Sequence, residues 1–266
     1  MDLGIVGKSA VVCGASKGMG LGVAAHLARE GAKVSMIARN SAELEKAVST
    51  LRAEGLIVHG IAADLIQKDE VQRAISEARN KFGDPEIAVT MNYGHFIARE
   101  GQHIPRGIEN TTDEELKEAS ESLVMDIINV VREVLPAMKK KQWGRIVHFG
   151  SVAMKEPHRD PIYLGNMRVA ACAVIKNLSN ELGEYGITVN GIAPGPIDTP
   201  TFHSYIEGLP ESMNTAEKWA KNLVPMNRLG TKEDAGALAA FLASEMAGWI
   251  TGQTVFLDGG YTRSLL

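Results

Sequence analysis

Short apolar runs alternate with longer amphipathic stretches along this chain. The runs are Ala10 to Cys13, Val34 to Ala38, Ile57 to Ala62, Ile87 to Met91, Ile146 to Phe149, Thr188 to Ile192 and Thr254 to Leu257. Each reads as a strand buried on both faces. Between them, Leu21 to Glu30, Ala42 to Arg52, Glu70 to Lys81, Glu114 to Lys140, Tyr163 to Tyr185 and Lys232 to Ser244 have helical periodicity. This alternation predicts an α/β fold with a doubly wound parallel sheet in a single domain. Two stretches break the rhythm. Ala98 to Asp113 is polar, and Thr201 to Asn227 mixes Phe202, Tyr205, Met213, Trp219 and Met226 with charges.

Composition narrows the possibilities. The 266 residues suffice for one α/β domain with a full core, and they are 45% hydrophobic and 23% charged. A net charge of -4 argues against nucleic acid as a partner. Lys139-Lys140-Lys141 reads as a solvated helix end. Cys13 and Cys172 are too few for a disulfide framework or a metal cluster, and their apolar surroundings predict buried thiols. The first residues lack the pattern of a signal peptide, and no run is long enough to span a membrane. A cytoplasmic protein without a membrane partner is expected.

The richest local signal is Cys13-Gly14-Ala15-Ser16-Lys17-Gly18-Met19-Gly20, between the first apolar run and the first helical stretch. A strand, a glycine turn and a helix together present backbone N–H groups to a pyrophosphate. Gly14 and Gly18 let the turn close, and Gly20 lets the helix pack close to the sheet and the cofactor. Three glycines alone also fit an ordinary strand-to-helix turn.

Further motifs follow in a fixed order. They are Asp64-Leu65, Asn92-Tyr93-Gly94, Gly144-Arg145-Ile146-Val147 with Gly150-Ser151, Tyr163, Val189 to Thr199, Ile250 to Gln253 and Leu257 to Gly260. Together with the G-x-x-x-G-x-G turn, this series resembles the short-chain dehydrogenase/reductase family over nearly the whole chain. The resemblance implies a Rossmann-type domain over residues 1–266, with a substrate lid at about 200–227. It also implies hydride transfer between a nicotinamide cofactor and the carbonyl or alcohol carbon of a small molecule. Two of its long helices pack across a subunit dyad in that family, so a homo-oligomer, tetramer or dimer, is expected from Glu114 to Lys140 and Tyr163 to Tyr185.

The cofactor residues follow from the same resemblance. Gly14, Ser16, Lys17, Gly18, Met19 and Gly20 form the pyrophosphate turn. Asp64 and Leu65 meet the adenine, Asn92, Tyr93 and Gly94 line the ribose, and Ile197 and Thr199 meet the carboxamide. Sites selective for NAD carry an acidic side chain near the end of the second strand. Here that strand ends Ile37-Ala38-Arg39-Asn40. Arg39 and Lys17, with no carboxylate nearby, favour a 2′-phosphate, so the expected cofactor is NADP(H).

The catalytic pair implied is Ser151, which positions the substrate oxygen, and Tyr163, which exchanges its proton. The family's lysine lies four residues after the tyrosine, where this chain has Met167. Its relay asparagine falls at Leu123, beside Ser122. Arg168 is turned about 100° from Met167 along a helix and is expected to face solvent or a subunit contact. A free phenol titrates at about 10, so without the cation Tyr163 should stay protonated at neutral pH. That form can donate to a carbonyl oxygen, which favours reduction over oxidation. His95 is the first candidate for a replacement acid, while His148 and His158 read as a bonded strand residue and a loop residue. The alternative is a family member that binds NADP(H) for non-redox or regulatory work.

Overall fold

The computed structural model describes residues 2–91, 108–157, 162–207, 209–211 and 214–265, with the backbone alone at 162–164. Strand β1 (Ser9–Cys13) leads into helix α1 (Gly18–Arg29), then β2 (Lys33–Ala38), α2 (Ser41–Ala53), β3 (Val58–Ala62), α3 (Lys68–Phe82) and β4 (Ile87–Met91). The second half contains α4 (Asp113–Ser120), α5 (Asp126–Lys141), β5 (Gly144–Phe149), α6 (Ile162–Leu182) and β6 (Ile187–Pro194). It ends with α7 (Pro200–Glu207), α8 (Ala216–Leu223), α9 (Lys232–Leu242) and β7 (Thr254–Leu257).

All neighbouring strands pair in parallel, in the order β3-β2-β1-β4-β5-β6-β7. The chain therefore reverses its direction across the sheet between β1 and β4, where open α/β sheets form their ligand crevice. Every residue of β1, β4, β5 and β6 is buried, which explains their continuous apolar runs. One face of the sheet packs α1, α2 and α9 through Val23, Leu27, Val48, Leu51 and Ala239. The other packs α3, α5 and α6 through Val71, Ile75, Val130, Val134 and Ile175. The doubly wound sheet expected from the alternation is thus the fold observed.

Side-chain caps start several of these helices. Asn40 accepts from the Glu43 N–H, and Thr112 with Glu115 and Thr231 with Asp234 form capping boxes. The single helix expected over Glu114 to Lys140 is instead interrupted. A π-helical turn, Glu121–Met125, separates α4 from α5. Within it the Ser122 hydroxyl donates to the Glu118 carbonyl at 2.8 Å, a back-bond that bends helices. The wide turn also carries buried Leu123 toward Met167 of α6, with Ala119 and Leu116 alongside.

Candidate cofactor and active site

The glycine turn begins where β1 ends. Gly14 and Gly18 both hold positive φ, +67° and +54°, a region that a side chain makes costly. Gly18 is already the first residue of α1, three residues before the predicted helix start. A Cβ on Gly20 would collide with the backbone carbonyl of Gly14, so the helix meets the loop backbone directly. Lys17 is the N-cap of α1 but makes no side-chain cap, and the first turn contains no acid. The leading N–H groups of α1 therefore lack the side-chain acceptor that caps α2, α4 and α9. A phosphate suits that position, and the glycines leave room for it.

Two segments approach this turn, one of them carrying the predicted Thr199. Met91, at the end of β4, lies 4.0 Å from the Cβ position of Gly14. Thr199 lies 3.3 Å from that of Gly18. The Pro194-Gly195 turn thus returns Thr199 to the glycine loop across the sheet's switch point. Thr199 is buried, and its hydroxyl accepts from the Phe202 N–H at 3.2 Å, which starts α7. Ile197 is buried and pairs with Gly230 in an isolated parallel bridge. Asp64 and Leu65 follow β3. Asp64 accepts from the Ile66 N–H at 3.2 Å, while Leu65 is buried in the core.

One premise of the NADP(H) expectation, that no carboxylate lies near its cations, is corrected by the structure. Arg39 is exposed beyond β2, and Asn40 turns its side chain onto α2 as the cap. Lys17 forms an ion pair with Glu43 at 3.2 Å. A carboxylate therefore stands beside Lys17, one of the two candidate phosphate cations, contrary to the expectation that none is nearby. The first turn of α2 carries Glu43 back toward the glycine loop, a proximity that the end of the second strand alone does not reveal.

Ser151 follows β5 and is half-buried. Its hydroxyl accepts from the Ala153 N–H at 3.0 Å, capping the 3-10 turn Val152–Met154. Tyr163 lies in the first turn of α6. Asn92, Tyr93, Gly94, His95, His158 and Met213 lie outside the described residues. Met167 is half-buried against Leu123, Ala119 and Leu116, so apolar contact occupies the place where a lysine and an asparagine were sought. Arg168 is buried, 8% exposed, which corrects the expectation of a solvent-facing residue. It lies on the same helix stripe as Ala171, Ile175 and Leu182, which face the sheet.

Two titratable groups on this side of the sheet were not anticipated as perturbed. His148 bonds Thr90 through Nδ1 at 2.8 Å, and burial pushes its pKa down to about 4. It is thus a neutral strand residue at physiological pH, as its plain reading predicts. Asp126 opens α5 directly after the π turn. Burial pushes its carboxyl up to about 8, against the opposing bond from the Ile127 N–H at 2.6 Å. Its Oδ2 has no hydrogen-bond partner among the described residues.

The segment beyond Thr199 forms its own small core. Trp219 of α8 meets Phe202 and Tyr205 of α7 edge-on, and stacks with Tyr261 at 6.5 Å between centroids. Ile206 and Val224 complete the cluster. Among the described residues no trio of His, Cys, Asp or Glu could hold a metal ion, and no helix is long and apolar enough to cross a membrane. Cys13 is buried as expected, whereas Cys172 is half-buried with its sulfur 3.3 Å from the Thr254 hydroxyl.

Comparison with known proteins adds a family context. The sequence profile described as Enoyl-(Acyl carrier protein) reductase matches residues 14–262. The chain is 31% identical to the 3-oxoacyl-[acyl-carrier-protein] reductase FabG of Pseudomonas aeruginosa, over 98% of this chain and 100% of that protein. Among solved structures it is similar to L-sorbose reductase from Gluconobacter frateurii complexed with NADPH and L-sorbose. That match has a TM-score of 0.88 and 29% identity, and covers 100% of each chain. It is also similar to a Pseudomonas aeruginosa short chain oxidoreductase containing an atypical catalytic center. There the TM-score is 0.86 and the identity 25%, over 98% of this chain and 99% of the other.

Proposed function

The chain belongs to the short-chain dehydrogenase/reductase family, and from that premise we propose that it is an NADP(H)-dependent oxidoreductase that reduces the carbonyl of a small molecule. The observation that carries the proposal is the glycine turn at the sheet's switch point. There the start of α1 lacks a side-chain cap, Gly20 meets the loop backbone, and Thr199 returns to border Gly18. L-sorbose reductase, with NADPH in its complex, supports the choice of cofactor.

In this proposal Gly14, Ser16, Lys17, Gly18, Met19 and Gly20 hold the pyrophosphate, and Arg39, Asn40 and Lys17 take the 2′-phosphate end. Asp64, Leu65, Asn92, Tyr93 and Gly94 take the adenosine side, and Ile197 and Thr199 the nicotinamide side. When bound, the reduced nicotinamide supplies a hydride. Ser151 orients the carbonyl oxygen by a hydrogen bond, and the Tyr163 hydroxyl donates the proton that this oxygen needs. The site is atypical because Met167 and Leu123 stand where the family's lysine and asparagine belong. A protonated phenol serves reduction without help, whereas oxidation needs a base, so the missing lysine biases the site toward reduction.

The working unit is proposed as one domain with residues 200–227 as a substrate lid, assembled as a homotetramer or dimer in the cytoplasm. The aromatic cluster around Trp219 packs the described part of that segment together. A second proposal, binding of NADP(H) for regulatory or non-redox work, draws on the apolar contact between Met167 and Leu123. Loss of reduced-nicotinamide absorbance against a panel of ketones, enones and aldehydes separates the two. Turnover that disappears in Tyr163→Phe supports the reductase. NADPH binding without turnover across the panel supports the second.

A further inference from the structure

We propose that Glu43 is a specificity-determining residue that holds Lys17 in check and weakens the discrimination between cofactors with and without a 2′-phosphate. This rests on the NADP(H) proposal and sharpens it. The Lys17 ammonium and the Glu43 carboxylate are 3.2 Å apart, with side chains 55% and 42% exposed. Asn40 accepts the Glu43 N–H at 3.1 Å, which fixes the backbone of Glu43 at the start of α2. Both residues line one groove of about 340 Å³ between α1 and α2, shared with Ser16, Leu21, Lys46 and Ala47. Glu43 therefore stands at the same mouth as the glycine turn.

Electrostatics gives the carboxylate two effects. It engages the ammonium that a phosphate would otherwise use, and it adds a negative charge where a dianionic phosphate would sit. An ion pair this exposed is weak and opens readily, so the first effect reduces affinity without blocking the site. The same carboxylate is an acceptor for a ribose 2′-hydroxyl, the role an acidic residue plays in NAD-selective sites. Arg39 and Lys17 thus pull toward the phosphorylated cofactor while Glu43 pulls against it. Removing one charge at this distance in a solvated setting changes affinity roughly three- to tenfold.

Fluorescence titration with NADPH and NADH at low salt tests this in the wild type, Glu43→Gln, Lys17→Met and the double variant. In Glu43→Gln, NADPH should bind three- to tenfold tighter, with NADH unchanged or weaker. Lys17→Met should cost more NADPH affinity in the Glu43→Gln background than in the wild type, because the freed ammonium contributes more. Glu43→Ala should shift the NADPH-to-NADH ratio in the same direction, and thermal unfolding confirms that each variant is folded. An unchanged ratio in both Glu43 variants, or an equal cost of Lys17→Met in both backgrounds, overturns the role of Glu43 and leaves the NADP(H) proposal standing. Absence of NADPH binding in the wild type overturns both.

Discussion

The glycine-turn region and the region between α4 and α6 solve different problems on one sheet. Around α1 the chemistry belongs to the backbone. Positive-φ glycines, a helix start without a side-chain cap and the return of Thr199 shape a backbone cradle that suits an anion. Between α4 and α6 the chemistry would have to come from side chains on separate elements, and where those elements meet they are apolar, Leu123 against Met167. The polar groups lie nearby but off that contact. Asp126 is buried just after the π turn, and Arg168 is buried one residue past Met167. On the proposed assignment the cofactor cradle and the proton-handling side chains rest on different parts of the chain, so each can be altered separately.

The strongest test of that contrast is Tyr163→Phe. Removing a general acid costs about 10²- to 10⁴-fold in turnover, equivalent to roughly 2.7–5.5 kcal/mol. NADPH affinity should not change, because Tyr163 is not among the residues proposed to hold the pyrophosphate or the 2′-phosphate. Carbonyl-reduction kinetics and a parallel binding titration check both parts. If turnover persists, the proton comes from elsewhere, and His95 is the next residue to replace.

Gly20→Ala acts on the opposite half. The new methyl group would meet the Gly14 carbonyl, so α1 must move away from the loop. We expect a loss of about 1–3 kcal/mol in unfolding free energy, together with weakened NADPH binding. Denaturant melts with and without NADPH measure both. A variant of unchanged stability and affinity would mean that the close approach of helix and loop is dispensable.

The buried acid near the catalytic half predicts a pH signature of stability. Burial pushes the Asp126 carboxyl up to about 8 in the folded state, from an ordinary 3.8. The folded state therefore holds a proton that the unfolded state has lost, and stability falls as pH rises between those values. The slope is about 1.4 kcal/mol per pH unit. His148 works in the other direction, because burial pushes its pKa down to about 4 from an ordinary 6.5. Its effect is absent above 6.5, and stability falls as pH drops from there toward 4. The two slopes oppose each other between about 4 and 6.5, and Asp126 alone dominates from 6.5 to 8. Asp126→Asn should flatten the upper window in denaturant melts taken at several pH values. An unchanged slope would show that the carboxyl is not buried as a neutral acid.

The smallest expected effect is that of Met167→Lys. A lysine at this half-buried position should move the alkaline limb of the pH–rate profile to lower pH. It should also raise alcohol oxidation more than carbonyl reduction, by less than about tenfold. Equal gains in both directions would show that the added charge does not reach the phenol.

Much of the fold was legible because it follows from repeating patterns. Continuous apolar runs marked the strands, and Gly14, Gly18 and Gly20 marked the turn, since only glycine suits those backbones and that approach. What stayed hidden depended on packing between distant segments. Nothing local in Glu121–Met125 distinguishes a π turn from ordinary helix, because the contact with Met167 is tertiary. Arg168 looked like a surface residue until the stripe through Ala171 and Ile175 fixed which face of α6 meets the sheet. Glu43 was missed for a similar reason, since its partner is 26 residues earlier in the chain.

The central claim is that the glycine-turn half is a working site for the phosphorylated cofactor, and direct titration of the wild-type protein with NADPH and NADH tests it most simply. Saturable NADPH binding, tighter than NADH, is expected, with the preference reversed in Arg39→Asp. Equal or tighter binding of NADH, or an Arg39→Asp variant with an unchanged preference, would contradict it.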